Sequence, residues 1–495
     1  MNSIYQSNIQ PLQGCDIKFI VDRGLHPRLF RLCHFAALFI LKSNASVVIS
    51  DCRFLSINIF ESEIDIPKSE MLLYVISDIL PTFGFALFNN ICNYIIEDME
   101  YLSDRIKSLS VSQTLAMAQK SRELKAKGID IISLSLGEPD FNTPDYIKEA
   151  AKKAIDDNYS KYPPVPGYAD LREAISKKFK DENGLTYSPD QIIVSAGGKH
   201  SLINVILSIV NPDDEVIILA PYWVSYYDQV IFAEGKPVIV SASIENDFKI
   251  KPEQLEAAIT SKTRLIIFNS PSNPTGMVYD RNEMEKIARI VEKHEGLFVI
   301  SDEIYEHIIF TGDHVSMASF SFIYDRVITV NGVSKGYAMT GWRIGYIGAP
   351  LWIAKACDKL QGQFTSGACS IAQRAALAAI QGKDNSKQIM KEAFLRRRNL
   401  ICGLLKEVKG IKVSIPQGAF YVMPDISYFF GKSNGQTKIN NSDDIALYLL
   451  DKAQVAVVGG DAFGAPDCIR ISYATADELL IEAVKRIKAA LEKLK

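Results

Sequence analysis

The chain has 495 residues, 47% of them hydrophobic and 23% charged, and a formal net charge of -3. That length calls for two or more domains, and the ordinary apolar fraction excludes global disorder. A near-neutral balance argues against a nucleic-acid reader, which needs a basic face, while eight cysteines without a C-x-x-C pair and six histidines without a close pair point to neither a disulfide scaffold nor a metal site.

Residues 1–98 differ in character from the rest. They are rich in Ile, Phe, Ser and Asn, hold half the cysteines (Cys15, Cys33, Cys52, Cys92), and carry seven basic against ten acidic residues. They show no clean helical or strand periodicity. Of two apolar runs, Leu29–Leu41 is broken by Arg31 and His34 and is short for a span. Met71–Phe88 has the length, but contains Asp78 and Pro81. A charge at mid-bilayer costs about 2.5–3.5 kcal/mol on insertion scales, and proline breaks a helix. No membrane attachment is therefore expected. Neither run follows a basic N-terminal segment, so no signal peptide is expected and the predicted location is cytoplasmic. The compositional break predicts that residues 1–98 take no part in the enzyme and that translation starts at Met99.

From Met99 the pattern changes. "VSQTLAMAQKSRELKAKG" has apolar residues at three- and four-residue intervals and ends on Gly128, which predicts a helix with a glycine stop. Short β-branched runs then alternate with helical ones: "QIIVSAGG" before "KHSLINVILSIV", then "DEVIILAPYW", "KPVIVSAS", "TRLIIFNSPSNPTG", "LFVISDEIY" and "DRVITVNGVSKG". Such alternation predicts an α/β fold with a mainly parallel sheet covered on both faces.

Ligands of open α/β sheets bind beyond the C-terminal strand ends. There the sequence places Gly197-Gly198 at a helix start, Trp223, the turn Asn273-Pro274-Thr275-Gly276, Asp302 with Tyr305, and Lys335. Alone, each is ordinary: a turn, a packing aromatic, an N-cap, a solvated lysine. Together they combine an anion cradle, an aromatic plate, a carboxylate, neutral hydrogen-bonders and an amine. That set suits a phosphorylated aromatic aldehyde, which an amine captures as a Schiff base and a carboxylate keeps protonated at a ring nitrogen.

At this point the residues resemble a family. "GVSKGYAMTGWRIG" resembles the lysine signature of the class I/II aminotransferases, which are fold-type I pyridoxal-phosphate enzymes. "SPSNPTG" and "SDEIY" are similar to two further family blocks, and the resemblance runs from Met99 to Lys495. "LSLGEPDFNTP" resembles the subgroup that contains bacterial aspartate aminotransferases.

The resemblance implies a role for each residue. Lys335 would bind pyridoxal 5'-phosphate and shuttle the proton. Asp302 would pair with the ring nitrogen, and Tyr305 and Asn273 with the phenolic oxygen. Trp223 would stack on the ring beside the substrate. Gly198, Lys199 and Arg343 would surround the phosphate, and Tyr162 would reach the phosphate of a neighbouring subunit in a homodimer. Gly137 would touch the substrate through its backbone. Arg470, in "CIRISYA", would hold the α-carboxylate in a bidentate pair. Lys199 is the candidate for a distal carboxylate.

Two departures stand out. Some branches carry a phosphate-binding serine three residues before the lysine, where this chain has Gly332; and relatives active on prephenate resemble "MKPSAT" where this chain reads "LSVSQT", with Ser110 at the lysine position. The implied reaction is ping-pong transamination of an amino acid, aspartate first, with 2-oxoglutarate. Aromatic, alanine or prephenate specificity and β-elimination are the alternatives, since fold does not fix reaction. The expected organisation is an extension (1–98), an arm and part of the small domain (99–145), a large domain with a seven-stranded type of sheet (146–400), and a smaller α+β domain (401–495).

Overall fold

The computed structural model describes residues 101–495 and, before them, the backbone of three strands: β1 (Ser46–Asp51), β2 (Phe54–Asn58) and β3 (Glu63–Ile66). These three pair antiparallel, Val47 opposite Ile57 and Ile57 opposite Ile64. The sequence reading found no strand pattern here. Runs of four to six residues such as "SVVISD" and "EIDI" have the β-branched content of strands without sustained alternation. Leu29–Leu41, Met71–Phe88 and the four early cysteines lie outside the described residues. Among the described residues no helix is long and apolar enough to cross a membrane.

The chain divides into compact units after Ser103, five residues past the compositional break. In the second unit a single turn of helix, Asp104–Lys107, precedes helix Gln113–Ala126, which is followed by Gly128 at φ 81°. Only Ala118 and Ser121 of this helix are buried. It is less of a core helix than its spacing implies, because Leu115 faces the site cavity instead of the core.

After β4 (Ile132–Ser133) comes the central sheet. Its order is β5 (Ile192–Ser195), β11 (Gly345–Gly348), β10 (Val327–Gly332), β9 (Phe298–Asp302), β8 (Thr263–Asn269), β6 (Glu215–Ala220), β7 (Lys236–Ser241). All six sequence-predicted runs are strands of this sheet. The seventh, β11, pairs antiparallel with both β5 and β10. Its sequence is "GYIG" inside the lysine signature, and two glycines in four residues suppress a strand signal.

The strands read as unbroken apolar runs because both faces are covered. Val216, Ile218, Leu265, Ile267 and Ile300 pack on helices Gly198–Ile209, Ser225–Phe232 and Leu351–Phe364. The alternate residues Ile217, Ile266, Phe268 and Val299 pack on helices Asp145–Asp156, Ala169–Asn183, Arg281–Glu292 and Ser370–Gln381. Each such fully buried side chain contributes about 1.5–3 kcal/mol.

A second apolar cluster gathers helices Ser386–Lys406, Ser442–Ala453 and Asp477–Leu491. They surround β12 (Tyr421–Val422), β13 (Val455–Ala456), β14 (Val458–Gly459) and β15 (Ile469–Ser472), with β4 parallel to β13 and Ile132 opposite Val455. The boundary expected at residue 400 falls inside helix Ser386–Lys406, whose buried face belongs to this cluster.

Candidate active site

A cavity opens between the C-terminal ends of β6, β8, β9 and β10 and the facing β12 and β15. Gly137, Gly198, Lys199, Trp223, Asn273, Asp302, Tyr305, Lys335, Arg343 and Arg470, all singled out in the sequence, line it. Tyr162 does not: it is 95% exposed.

Lys335 follows β10 and donates from Nζ to the carbonyl oxygen of Gly137 at 2.5 Å. Burial of the amine pushes its pKa down to about 8; Glu138 opposes the shift, and the Arg470 and Arg343 cations add to it. A substantial neutral fraction near pH 8 suits a nucleophile and base.

Asp302 ends β9. Burial lifts its carboxyl to about 6, against the hydrogen bond donated by the Tyr226 hydroxyl to Oδ2 at 2.7 Å. Asn269, at the end of β8, ties the strand ends together. Its Nδ2 donates to the Asp302 carbonyl at 2.8 Å, and its Oδ1 accepts from the Asn273 amide at 2.8 Å. The Tyr305 hydroxyl shares a hydrogen bond with that of Tyr421 at 2.8 Å.

The anion cradle is built by close approach. Gly197 caps the helix at φ 88°, and a Cβ there would lie 2.2 Å from Arg343 Nη2. At Gly198 a Cβ would meet nothing nearer than 4.0 Å. Gly197 is therefore the glycine the geometry requires, and Gly198 supplies its helix-start amide. Arg343, itself at φ 56°, donates to the Thr340 carbonyl at 2.9 Å. The absence of a serine at 332 also has a cause: a Cβ there would sit 2.8 Å from the Ile344 carbonyl oxygen. Lys199 Nζ lies 4.8 Å from the Trp223 ring centroid.

Arg470 is 1% exposed and, among the described residues, has no carboxylate partner. It donates to Asn273 Oδ1 at 3.1 Å and to the Ser135 carbonyl at 2.5 Å, and its Nε has no hydrogen-bond partner. A buried guanidinium left without an anion is costly, so this position is built to receive one. Elsewhere, two acid–histidine groups, Glu182/Glu306/His307 and Glu303/Glu306/His314, come close enough to share an ion; the Lys178 ammonium already pairs with Glu306.

Sequence reasoning missed Asn269, Tyr226 and Tyr421, and of the pair Gly197-Gly198 it assigned only Gly198 to the phosphate. Tyr226 stands three residues after Trp223, so a helical turn there brings it back toward Asp302. Nothing in "GAFYVMPDI" marks Tyr421.

A lysine after a parallel strand, a buried carboxylate on the adjacent strand, glycines at a helix start and a buried arginine without a carboxylate partner among the described residues meet in one cavity, which has the make-up of an enzyme's active site. A family model described as aminotransferase class I and II matches residues 129–487, and the chain belongs to that family. It is 50% identical over 394 residues to the aspartate/prephenate aminotransferase of Cereibacter sphaeroides, covering 79% of this chain and 98% of that protein. It is 49% identical to a bifunctional aspartate and glutamate/aspartate-prephenate aminotransferase of Petunia hybrida, over 80% of this chain and 83% of that one. The aspartate aminotransferase of Rhizobium meliloti superposes with a TM-score of 0.77 at 41% identity, covering 80% of this chain and 99% of that one. That of Thermus thermophilus with maleate gives 0.74 at 40%, covering 79% and 99%. The chain is an aminotransferase with the α/β fold of these proteins.

Proposed function

We propose that the enzyme uses pyridoxal 5'-phosphate to move an amino group between L-aspartate and 2-oxoglutarate, giving oxaloacetate and L-glutamate. The observation that carries a carboxylate-bearing amino acid is Arg470, buried and without an anion. The residues fit the cofactor: Asp302 is a buried carboxylate that needs a cation, and the Gly197–Gly198 turn and Arg343 converge where a phosphate would sit. When bound, the cofactor supplies an aldehyde that takes up amino groups and a protonated ring that draws in the electron pair left at the substrate Cα.

The chain's own residues do the rest. Arg343 and the amides at the start of helix Gly198–Ile209 hold the phosphate. Asp302, whose ionised form the Tyr226 hydroxyl favours against the effect of burial, would hold the proton on the ring nitrogen. Tyr305 and Asn273 bind the phenolic oxygen, and Trp223 covers the ring. Arg470 orients the substrate through its α-carboxylate, and Lys335 Nζ takes the proton from Cα and returns it further along.

Lys199 would bind the distal carboxylate. Burial and Arg343 press its pKa down while Asp228 opposes them. Lys199→Ala removes one charged hydrogen bond, worth roughly 1.5–3 kcal/mol. Aspartate kcat/KM should fall about ten- to a hundredfold, with alanine and phenylalanine little changed. Equal losses across the three would take Lys199 out of the specificity role. Prephenate is the second reading, on the names of the relatives. Against it, position 110 offers no cation: the Ser110 hydroxyl and amide both donate to Asp228. Half-reaction spectra against a panel of amino acids, with turnover of prephenate as amino acceptor, test both readings.

The exposure of Tyr162 supports a homodimer in which it reaches the partner's site. The location proposed is the cytoplasm. Every site residue lies between 112 and 470. A chain beginning at Met99 should therefore keep full activity in a steady-state assay; a large loss would show that the first 98 residues contribute.

A further inference from the structure

Resting on the cofactor reading above, we infer that Tyr421 is a positioning residue for the transamination site: its hydroxyl donates to the Tyr305 hydroxyl and so directs the single Tyr305 proton into the cavity. Tyr421 lies on β12 with 1% exposure and lines the cavity. Three neighbours fix its hydroxyl end. The Tyr305 oxygen is 2.8 Å away, with the two rings edge to face at 5.8 Å and 83°. The Arg470 guanidinium lies 4.9 Å from the Tyr421 ring centroid. A Cβ on Gly137 would come within 2.0 Å of Tyr421 Oη. That last contact explains why position 137 is glycine, the residue whose carbonyl also receives the Lys335 amine.

Each phenol has one hydrogen. Among the described residues, neither hydroxyl has another hydrogen-bond partner. Left to themselves, either can be the donor. Once the cavity holds an acceptor facing Tyr305, Tyr305 must donate to it, and its oxygen is free only to accept. Tyr421 is then the donor, and the chain Tyr421–Tyr305–acceptor is polarised in one direction, which strengthens the terminal bond. Burial keeps both phenols protonated. The charged groups facing the pair are Arg470, Asp302, Glu138 and Lys335, whose Nζ lies 5.9 Å from the Tyr305 ring centroid, and those facing Lys335 are Glu138, Arg470, Arg343 and Asp302. None of them replaces the hydroxyl–hydroxyl bond.

A stronger bond from Tyr305 favours negative charge on the cofactor's phenolic oxygen and disfavours the protonated form of the loaded site. Removing the Tyr421 hydroxyl should therefore raise the pH midpoint of the cofactor's absorption change. The test compares wild type, Tyr421→Phe, Tyr305→Phe and the double variant, each loaded with pyridoxal phosphate and titrated by absorption, with unfolding temperatures measured alongside. Tyr421→Phe should raise the midpoint by roughly 0.3–1 pH unit, the worth of one neutral hydrogen bond. Tyr305→Phe should raise it more, and the double variant should match Tyr305→Phe. Tyr421→Met, which also lacks the hydroxyl, should shift in the same direction. An unchanged midpoint in both Tyr421 variants, or a double variant that adds the full Tyr421→Phe shift, overturns the inference. A wild-type protein that takes up no cofactor overturns the cofactor reading as well, so the two failures are told apart.

Discussion

Lys335→Ala should abolish multiple turnover, with kcat falling by at least about 10⁴-fold. General acid–base catalysis by one group is worth up to about 10⁴, and in the proposed function this amine is also the nucleophile that captures the cofactor. Among the described residues no other lysine shares the position: Lys199, the second lysine lining the cavity, stands over Trp223. The variant should remain folded. It loses one hydrogen bond to the Gly137 carbonyl and a buried amine whose pKa already lies near 8. Steady-state assays with aspartate and 2-oxoglutarate, paired with a thermal unfolding curve, separate lost chemistry from lost structure. Turnover within tenfold of wild type would remove Lys335 from the reaction.

Asp302→Asn should produce opposite effects on activity and stability. Loss of the buried counter-charge to the ring nitrogen should cost about 2–5 kcal/mol of transition-state stabilisation, roughly 30- to 5,000-fold in kcat/KM. In the cofactor-free protein the carboxylate is a liability. Its folded-state pKa of about 6 exceeds the unfolded value near 3.9. A group raised in this way favours the fold fully below the lower value, and that contribution is lost as pH rises through the upper one. Relative to wild type, the cofactor-free Asn variant should therefore gain in unfolding temperature between pH 4 and pH 7. Adding cofactor should raise the wild-type temperature more than the variant's. A difference between the two cofactor-free proteins that stays flat with pH would contradict the burial argument.

The sequence made the strands legible because a sheet covered on both faces needs unbroken Val and Ile runs, and their polar ends fall at the cavity. Lys335, Asp302, Asn273 and Arg470 could be read because each lines the cavity and stands in a motif. Tyr226, Asn269 and Tyr421 touch those residues. Asn269 is one residue before "SPSNPTG", yet its two hydrogen bonds depend on the register of β8 against β9. Tyr421 and Tyr305 are 116 positions apart, and no local pattern encodes their contact. Gly197 and Gly198 look equivalent in sequence; the φ of 88° at Gly197 and the approach of Arg343 separate them. β11 was hidden because its glycines serve packing: a Cβ at Gly345 would lie 2.2 Å from the Gly198 amide nitrogen.

In the proposed function Lys335 is the residue that carries the cofactor. Borohydride reduction of the pyridoxal-phosphate-loaded protein, followed by digestion and peptide mapping, tests it directly. A single stable cofactor adduct is expected, on the peptide containing Lys335. An adduct on Lys199 or any other lysine, or none at all, would contradict it.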